Sequence, residues 1–471
     1  MRFHNCALLG IVTALAGCGI FGPNYSKPSI TTPNDWQSKD YLATTTDGAN
    51  LPAMAWWRNF NDVQLNSLIE SALINNNDIQ VAVGNIITAQ GLLQQIDYAW
   101  IPTMGGAVGF TNQSNGQQIP GYFAGLTPNY TLNIVQQIRS QQFAKANLAA
   151  VKAAQDNVRL GIISQVASSY LTLLGQDYQL QLQQRLVTDL GELLKLTGDQ
   201  YKYGLISLYT LQQYQQQYEQ AKAVIPIIRN NIVKSQNALR LLINQNPGDI
   251  TRGLSFMQVK DTGIIPVNLP STVLKNRPDV QQAEEELIAA NANIGVATST
   301  FFPSISLTND VGAASNALSG LFNSGTGFWN TQIAATMPIL SFGTYGQIKQ
   351  AKGQYYAAYY KYVETVRVAF QSVDNDLSAH AQYTTSLWTQ MQFSKSAKVA
   401  YTLSQASYSK GLYSYPTLLQ NKINYDNAEI SVAQSKILQL NTIVQLYQDL
   451  GGGYMIDNDE SNVEYKIESK E

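Results

Sequence analysis

The sequence predicts an α+β membrane protein built as two copies of one long unit, each with a helix, a β-hairpin and a pair of very long helices. Three observations carry this. Residues 277–307, RPDVQQAEEELIAANANIGVATSTFFPSISL, echo residues 77–106, NDIQVAVGNIITAQGLLQQIDYAWIPTMGG, at a constant offset of 201. Asp78 aligns with Asp279, Ile79 with Val280, Ala82 with Ala283, Ala89 with Ala290, Trp100 with Phe301 and Pro102 with Pro303, a repeat of a size that sets the whole architecture. After each proline the chain turns short, alternating and β-like. In each copy a helical pattern then runs without proline, over 139–203 and 345–410.

Composition narrows the class further. Of 471 residues 45% are apolar and only 13% charged, against roughly 25% charged in soluble domains. Polarity comes from Gln, Asn, Ser, Thr and 27 Tyr. A net charge of −2 and the lack of a basic stripe give no reason to expect a nucleic-acid partner. Mean hydropathy is −0.15, and no window beyond the N-terminus holds the roughly 18 apolar residues of a spanning helix.

The N-terminus, 1–17, has the form of a secretory signal: Arg2, an apolar run over 7–16, then Leu15-Ala16-Gly17-Cys18. The last four residues resemble the bacterial lipobox, which makes Cys18 the first mature residue and its lipidation site. Cys6 departs with the signal, so the mature chain keeps one cysteine and no internal disulfide. Several acyl chains together anchor durably where one does not. Gly19, rather than Asp, favours the outer membrane by the same resemblance. Residues 18–55 read as a lipidated N-terminus and an extended Pro/Thr/Ser-rich tether.

The first repeat spans 56–245. Trp56-Trp57-Arg58-Asn59-Phe60 opens it, and a helix is predicted over 62–100. A β-hairpin follows over 104–138, with strands at 104–112 and 130–138 around a loop containing Gly116 and Pro120. The second repeat, 277–453, has its hairpin over 304–340, with strands at 304–313 and 328–340. These lengths suit a tilted membrane strand of about 9–11 residues, and a soluble hairpin equally. Four strands cannot close a barrel. If they span a bilayer, several chains must pool them to leave no open edge, and three copies give twelve.

In the first long helix, one apolar stripe runs through Val158, Ile162, Val166, Leu173, Leu180, Val187, Leu190 and Leu194. A second runs through Leu160, Ile163, Ala167, Tyr170, Leu174, Tyr178, Leu182 and Leu186. Two residues are about 200° of helix, so the stripes oppose each other, with Ser164, Gln165, Ser168, Thr172, Gln179 and Gln183 between them. Such a helix touches a neighbour on each side, as a stave in a tube does, or lies deep in a bundle. Both long helices end alike, Tyr201-Lys202-Tyr203-Gly204-Leu205 and Tyr408-Ser409-Lys410-Gly411-Leu412. Each glycine sits where a left-handed cap is wanted before a return helix. Pro226 should kink or interrupt the first return helix, while Pro416 falls in the tolerant first turn of the second. Residues 246–276 read as an irregular connector, and 454–471 as a loosely ordered polar tail.

Catalytic constellations are missing from this pattern. His4 leaves with the signal and His380 stands alone. Glu284-Glu285-Glu286 reads as a solvated face, and Asp374 and Asp376 face apart. No GxSxG, P-loop or HExxH occurs. Neither an enzyme nor a cofactor or metal site is expected.

The motifs resemble a known family. Gly22-Pro23-Asn24-Tyr25-Ser26-Lys27-Pro28 after the lipobox is similar to the start of the NodT-type outer-membrane efflux lipoproteins, in the TolC-like outer-membrane factor superfamily. Leu269-Pro270-Ser271, Arg277-Pro278-Asp279-Val280, Ala283-Glu284, Ala289-Ala290-Asn291-Ala292, Ile294-Gly295 and Phe301-Phe302-Pro303-Ser304-Ile305-Ser306-Leu307 follow that family's pattern. So do Pro338-Ile339-Leu340 with Gly343, and Leu450-Gly451-Gly452-Gly453. The resemblance covers nearly the whole mature chain. It implies a homotrimer in outer-membrane lipid, with a twelve-stranded β-barrel, four strands per chain, joined to a long periplasmic α-helical barrel. Pro102 and Pro303 would be the barrel-to-helix joints. It implies a passive exit duct of a tripartite efflux system carrying small molecules. A periplasmic adaptor would dock at Tyr201, Gly204, Leu205, Tyr408, Gly411 and Leu412, and an inner-membrane pump would supply energy. A duct for protein or peptide secretion, or a poreless lipid-anchored coiled-coil scaffold, are the alternatives.

Two departures stand out. Where relatives carry Trp-x-x-Asp-x-x-Gly this chain has Ile134-Val135-Gln136-Gln137-Ile138-Arg139. Where relatives often place an acidic residue beyond each turn, it has Leu208-Tyr209-Thr210-Leu211 and Pro416-Thr417-Leu418-Leu419-Gln420. The mouth constriction is therefore expected from Tyr209, Thr417 and Gln420, without the carboxylate ring that would favour cations strongly.

Overall fold

A computed structural model describes residues 22–31, 36, 51–111, 121–260 and 276–455. The signal, Cys18, residues 261–275 of the connector and the tail from 456 lie outside the described residues. Seven α-helices occur among the described residues. They are α1 (Val63–Asn75), α2 (Asn77–Tyr98), α3 (Ile134–Lys202), α4 (Leu208–Leu242), α5 (Pro278–Ser299), α6 (Phe342–Ser409) and α7 (Tyr415–Asp449). The strands are β1 (Thr103–Thr111), β2 (Gly121–Leu132), β3 (Ser304–Ser315) and β4 (Gly327–Thr336). The repeat is visible in the lengths: α2 and α5 have 22 residues each, α4 and α7 have 35 each, α3 has 69 and α6 has 68. At 1.5 Å per residue α3 and α6 each reach roughly 100 Å.

Two compact units form. The first gathers 22–30, 84–153 and 279–365 and contains all four described strands, antiparallel in the order β1-β2-β3-β4. Its N-terminal segment is docked rather than free. Asn291 Nδ2 donates to the Pro23 carbonyl at 3.0 Å, Arg139 Nη2 to the Gly22 carbonyl at 3.2 Å, and Tyr25 Oη and Lys27 Nζ to Glu284 at 3.3 and 2.5 Å. Glu286 accepts from Lys361 at 2.8 Å. Two of the three consecutive glutamates thus fasten neighbouring segments, correcting the expected solvated face. Burial, then the charge of Glu284, raises the third, Glu285.

The second unit gathers 31–83, 154–278 and 366–455 and contains the main core. Trp56 stacks on Tyr447 at 4.9 Å and 3°, and its indole donates to the Gly452 carbonyl at 3.2 Å. Asp62 caps α1 and also accepts from Tyr170 Oη and Leu254 N, both at 3.0 Å. Both stripes of α3 enter this core, through Ile162, Val166 and Leu173 and through Ile163, Tyr170 and Leu174. Between them Ser164 and Gln183 are buried as well, and Gln183 donates to the Ala221 carbonyl at 2.8 Å. A pair of opposed apolar stripes therefore does not leave every residue between them facing water.

Several element bounds differ from expectation. The helix predicted over 62–100 is two helices. Asn76 is extended, its Oδ1 accepts from the Asp78 and Ile79 amides at 2.8 and 3.3 Å, and it starts α2 anew. The second strand is β2, ending at Leu132, and not 130–138. Asn133 accepts from the Gln136 amide at 3.0 Å and caps α3, so 134–138 are helical. Pro128 falls inside β2, and the β2–β3 ladder skips it, which accommodates its missing N–H. β4 stops at Thr336, short of Pro338. Helix α4 continues through Pro226 without interruption, leaving the Lys222 carbonyl without its usual partner.

Candidate channel wall and hairpin tips

Strand register sorts the sheet residues onto two faces. Successive side chains alternate, and paired residues share a face. Thr103↔Asn129, Leu126↔Val311 and Val311↔Trp329 set the alignment. One face carries Met104, Val108, Phe110, Leu126, Leu132, Ile305, Leu307, Val311, Trp329 and Ile333. Its one polar interruption at mid-strand is Asn309 with Thr331, hydrogen-bonded to each other at 2.9 Å. The opposite face carries Thr127, Asn129, Thr131, Ser304, Ser306, Thr308, Asp310, Asn330 and Gln332, with Phe123 and Phe328 toward the hairpin loops. Val108 is 83% and Trp329 79% exposed, far more than a water-facing sheet would leave its apolar side. Both edges, β1 and β4, lack a neighbour among the described strands. A sheet with one lipid-compatible face, one polar face and two open edges is a segment of a barrel wall. Pro102 and Pro303, both exposed, immediately precede β1 and β3.

The hairpin tips, in the second unit, are two versions of one motif. Gly204 and Gly411 take φ of +69° and +71°. The Gly204 amide reaches the Tyr201 carbonyl and Leu205 the Gln200 carbonyl, both at 2.9 Å; Gly411 to Tyr408 and Leu412 to Ser407 repeat those bonds at 2.9 Å. This double bond pattern satisfies the last carbonyls of α3 and α6. Ser207 and Ser414 then cap α4 and α7 through the Thr210 and Thr417 amides. The result presents Leu205 and Leu412, 72% and 71% exposed, with Tyr201 and Tyr408 behind them. Of the residues expected at the mouth, Tyr209 and Thr417 are exposed and Gln420 is half-buried, donating to Asn424 Oδ1 at 3.2 Å.

Sequence reading missed a charged seam between α3 and α7. Asp189 and Asp426 are each 1% exposed. Lys422 Nζ meets Asp189 Oδ1 at 2.5 Å, while Arg185 meets Asp426 Oδ1 at 3.4 Å and Glu429 at 2.8 Å. The remaining oxygens, Asp189 Oδ2 and Asp426 Oδ2, are buried without a donor. A proton held between the carboxyls would supply the missing bond. Burial first, then Asp189, pushes Asp426 up to about 7. Leu186, Leu190, Leu419 and Ile423 close around the seam, and Tyr415 donates to Glu192 at 3.1 Å. Heptad-like burial of Asp189 beside Leu186 and Leu190 was the available signal.

The long paired hairpins and the two-faced sheet define a channel-forming outer-membrane protein, and the chain belongs to the outer membrane efflux protein family, whose model matches residues 68–245 and 269–452. It is 29% identical over 476 residues to the solvent efflux pump outer membrane protein SrpC of Pseudomonas putida, covering 97% of this chain and 99% of that one. It is 28% identical over 474 residues to the cation efflux system protein CusC of Escherichia coli, covering 95% and 99%. Among solved structures, the open-state MtrE outer membrane channel of Neisseria gonorrhoeae superposes with a TM-score of 0.81 at 28% identity, over 92% of this chain and 98% of that one. The chain accordingly has the fold of these channels, and its place is the outer membrane.

Proposed function

We propose that three copies assemble into one passive efflux duct, a twelve-stranded barrel continued by the long helical hairpins, and that it performs no catalysis. The observation that carries this is the four-stranded sheet with opposed apolar and polar faces and both edges open, since in lipid every backbone group must be paired and a lone four-stranded sheet cannot close. An adaptor docks at the leucine-tipped turns, Tyr201, Gly204, Leu205, Tyr408, Gly411 and Leu412, and an inner-membrane pump drives transport. Tyr209, Thr417 and Gln420 line the mouth, which opens when the hairpins shift. The boundaries 1–17, 18–55, 56–245, 246–276, 277–453 and 454–471 describe its parts.

Lipidation of Cys18 anchors the N-terminus. Gly22 is held against Gly295, where a Cβ on Gly22 would stand 2.7 Å from the Gly295 Cα, and Gly295 lies one turn before α5 ends and the chain enters β3. Gly22 itself therefore lies near the level at which the strands begin. Cys18→Ser should abolish metabolic lipid labelling; persistence of the acylated species contradicts the assignment.

Purified protein added to a planar bilayer should give discrete ion-conducting steps. A monomer that inserts without conductance would favour the scaffold reading, and peptide cargo accumulating on gene deletion would favour secretion.

A further inference from the structure

Among the 9, 12, 12 and 10 residues of the four strands, Asp310 is the sole charged side chain. Register puts it on the polar face at mid-strand, opposite Asn330 of β4. On its other side Thr127 stands across from it, and beyond that Gly105. No Lys or Arg on any of these strands neutralises it. The next tier of the same face toward the hairpin loops holds Phe328, whose neighbours along the sheet are Gly312, Gly125 and Ala107. Three neighbours with almost no side chain leave the Phe328 ring partly exposed, at 39%. One tier further is Phe123, lying over Gly109 so closely that a Cβ there would meet the ring at 2.7 Å. Tiers on one face are about 7 Å apart.

We infer that Asp310, with Phe328 and Phe123 beyond it, makes the barrel lumen a selecting tier for organic cations that carry an aromatic or alkyl body. This rests on the trimeric reading, which repeats the tier three times around one lumen. A carboxylate reaches into a water-filled pore over the Debye length, about 8 Å at physiological salt and about 30 Å at 0.01 M. Three of them overlap across the bore in dilute salt and draw cations in while thinning anions. The aromatic tiers add contact for an apolar body and attraction of their π faces for a positive centre. Neutral apolar cargo feels the rings only, and anionic cargo is opposed by the carboxylates. Tyr209, Thr417 and Gln420 at the proposed mouth carry no charge, so among these positions discrimination by sign falls to the barrel.

The test is the reversal potential of the reconstituted channel under a potassium chloride gradient, with benzyltrimethylammonium and benzenesulfonate as matched aromatic probes of opposite charge. In dilute salt the native protein should favour potassium over chloride by about 3-fold or more, fading as salt shortens the screening length. Asp310→Asn should bring the ratio close to one and Asp310→Lys should invert it, with trimer and conductance retained. Benzyltrimethylammonium should slow the native current, less so in Asp310→Asn and Phe328→Ala, while benzenesulfonate leaves it unchanged. A conducting Asp310→Asn trimer with the native ratio overturns this inference and spares the duct. A native protein that never conducts overturns the duct and this tier with it.

Discussion

Arg277 Nη1 donates to the Asp449 carbonyl at 2.7 Å, to its carboxylate at 3.2 Å and to Ser372 Oγ at 3.1 Å, tying the end of α7 to the segment before α5. Asp376 stands beside this group, and burial, then the Asp449 carboxyl, pushes it up to about 8. Removing one member of a buried charged group strands the others, so Arg277→Met should cost roughly 3–5 kcal/mol in denaturant unfolding. Arg277→Lys should recover part of it. Just past α7, Gly451 has φ of +72° and a Cβ there would come 2.2 Å from the Asn276 carbonyl. Gly451→Ala should therefore be more damaging than Gly204→Ala, which meets no atom within 4 Å and should cost only the left-handed strain of roughly 1–2 kcal/mol. Thermal melts of the two variants decide the order. Arg277 and the glycines stand out in the sequence. Asp449, 172 positions away from Arg277, does not, because a partner at that separation is chosen by the fold.

The seam between α3 and α7 is where an element responds to pH. Asp426 is raised from 3.8 to about 7 in the folded chain, so the native state holds a proton that the unfolded chain has already released. Stability from this site is greatest in acid and is lost as pH rises from about 4 to about 7. Arg185, Lys422, Glu429 and Glu192 surround it, and Arg185 and Lys422, both held above their ordinary values by the neighbouring carboxylates, keep their positive charges across that window. The melting temperature should fall between pH 5 and pH 7.5, and Asp426→Asn should flatten that fall, the remaining slope coming from Asp376 and from Asp156, which burial raises to about 6. An unchanged slope in the variant would show that the carboxyls share no proton. At the tips, Leu412→Asp and Leu205→Asp should weaken co-purification of the adaptor while leaving the assembly intact. The turns were legible because a glycine after a long apolar period has few other uses. The breaks at Asn76 and Asn133 were not, since asparagine caps and asparagine in loops look alike until the side chain finds its amide. Proline at 226 does not interrupt its helix, since one lost hydrogen bond is a small part of a 35-residue helix.

For the whole molecule, the internal repeat was readable from spacing alone, and it predicted four strands and two long hairpins before any geometry. The faces of those strands were not readable. A one-residue shift in register exchanges the faces, and the expected second strand at 130–138 would have misplaced β2 entirely. Only with Leu126 opposite Val311 and Val311 opposite Trp329 do the apolar residues gather on one side and Asp310 on the other. Such a sheet has use for both faces only when its open edges meet those of other copies around a water-filled bore. Native mass spectrometry of the protein released from detergent tests this most directly. The account predicts one dominant species of three chains; a monomer, or a ring of any other number, would contradict it.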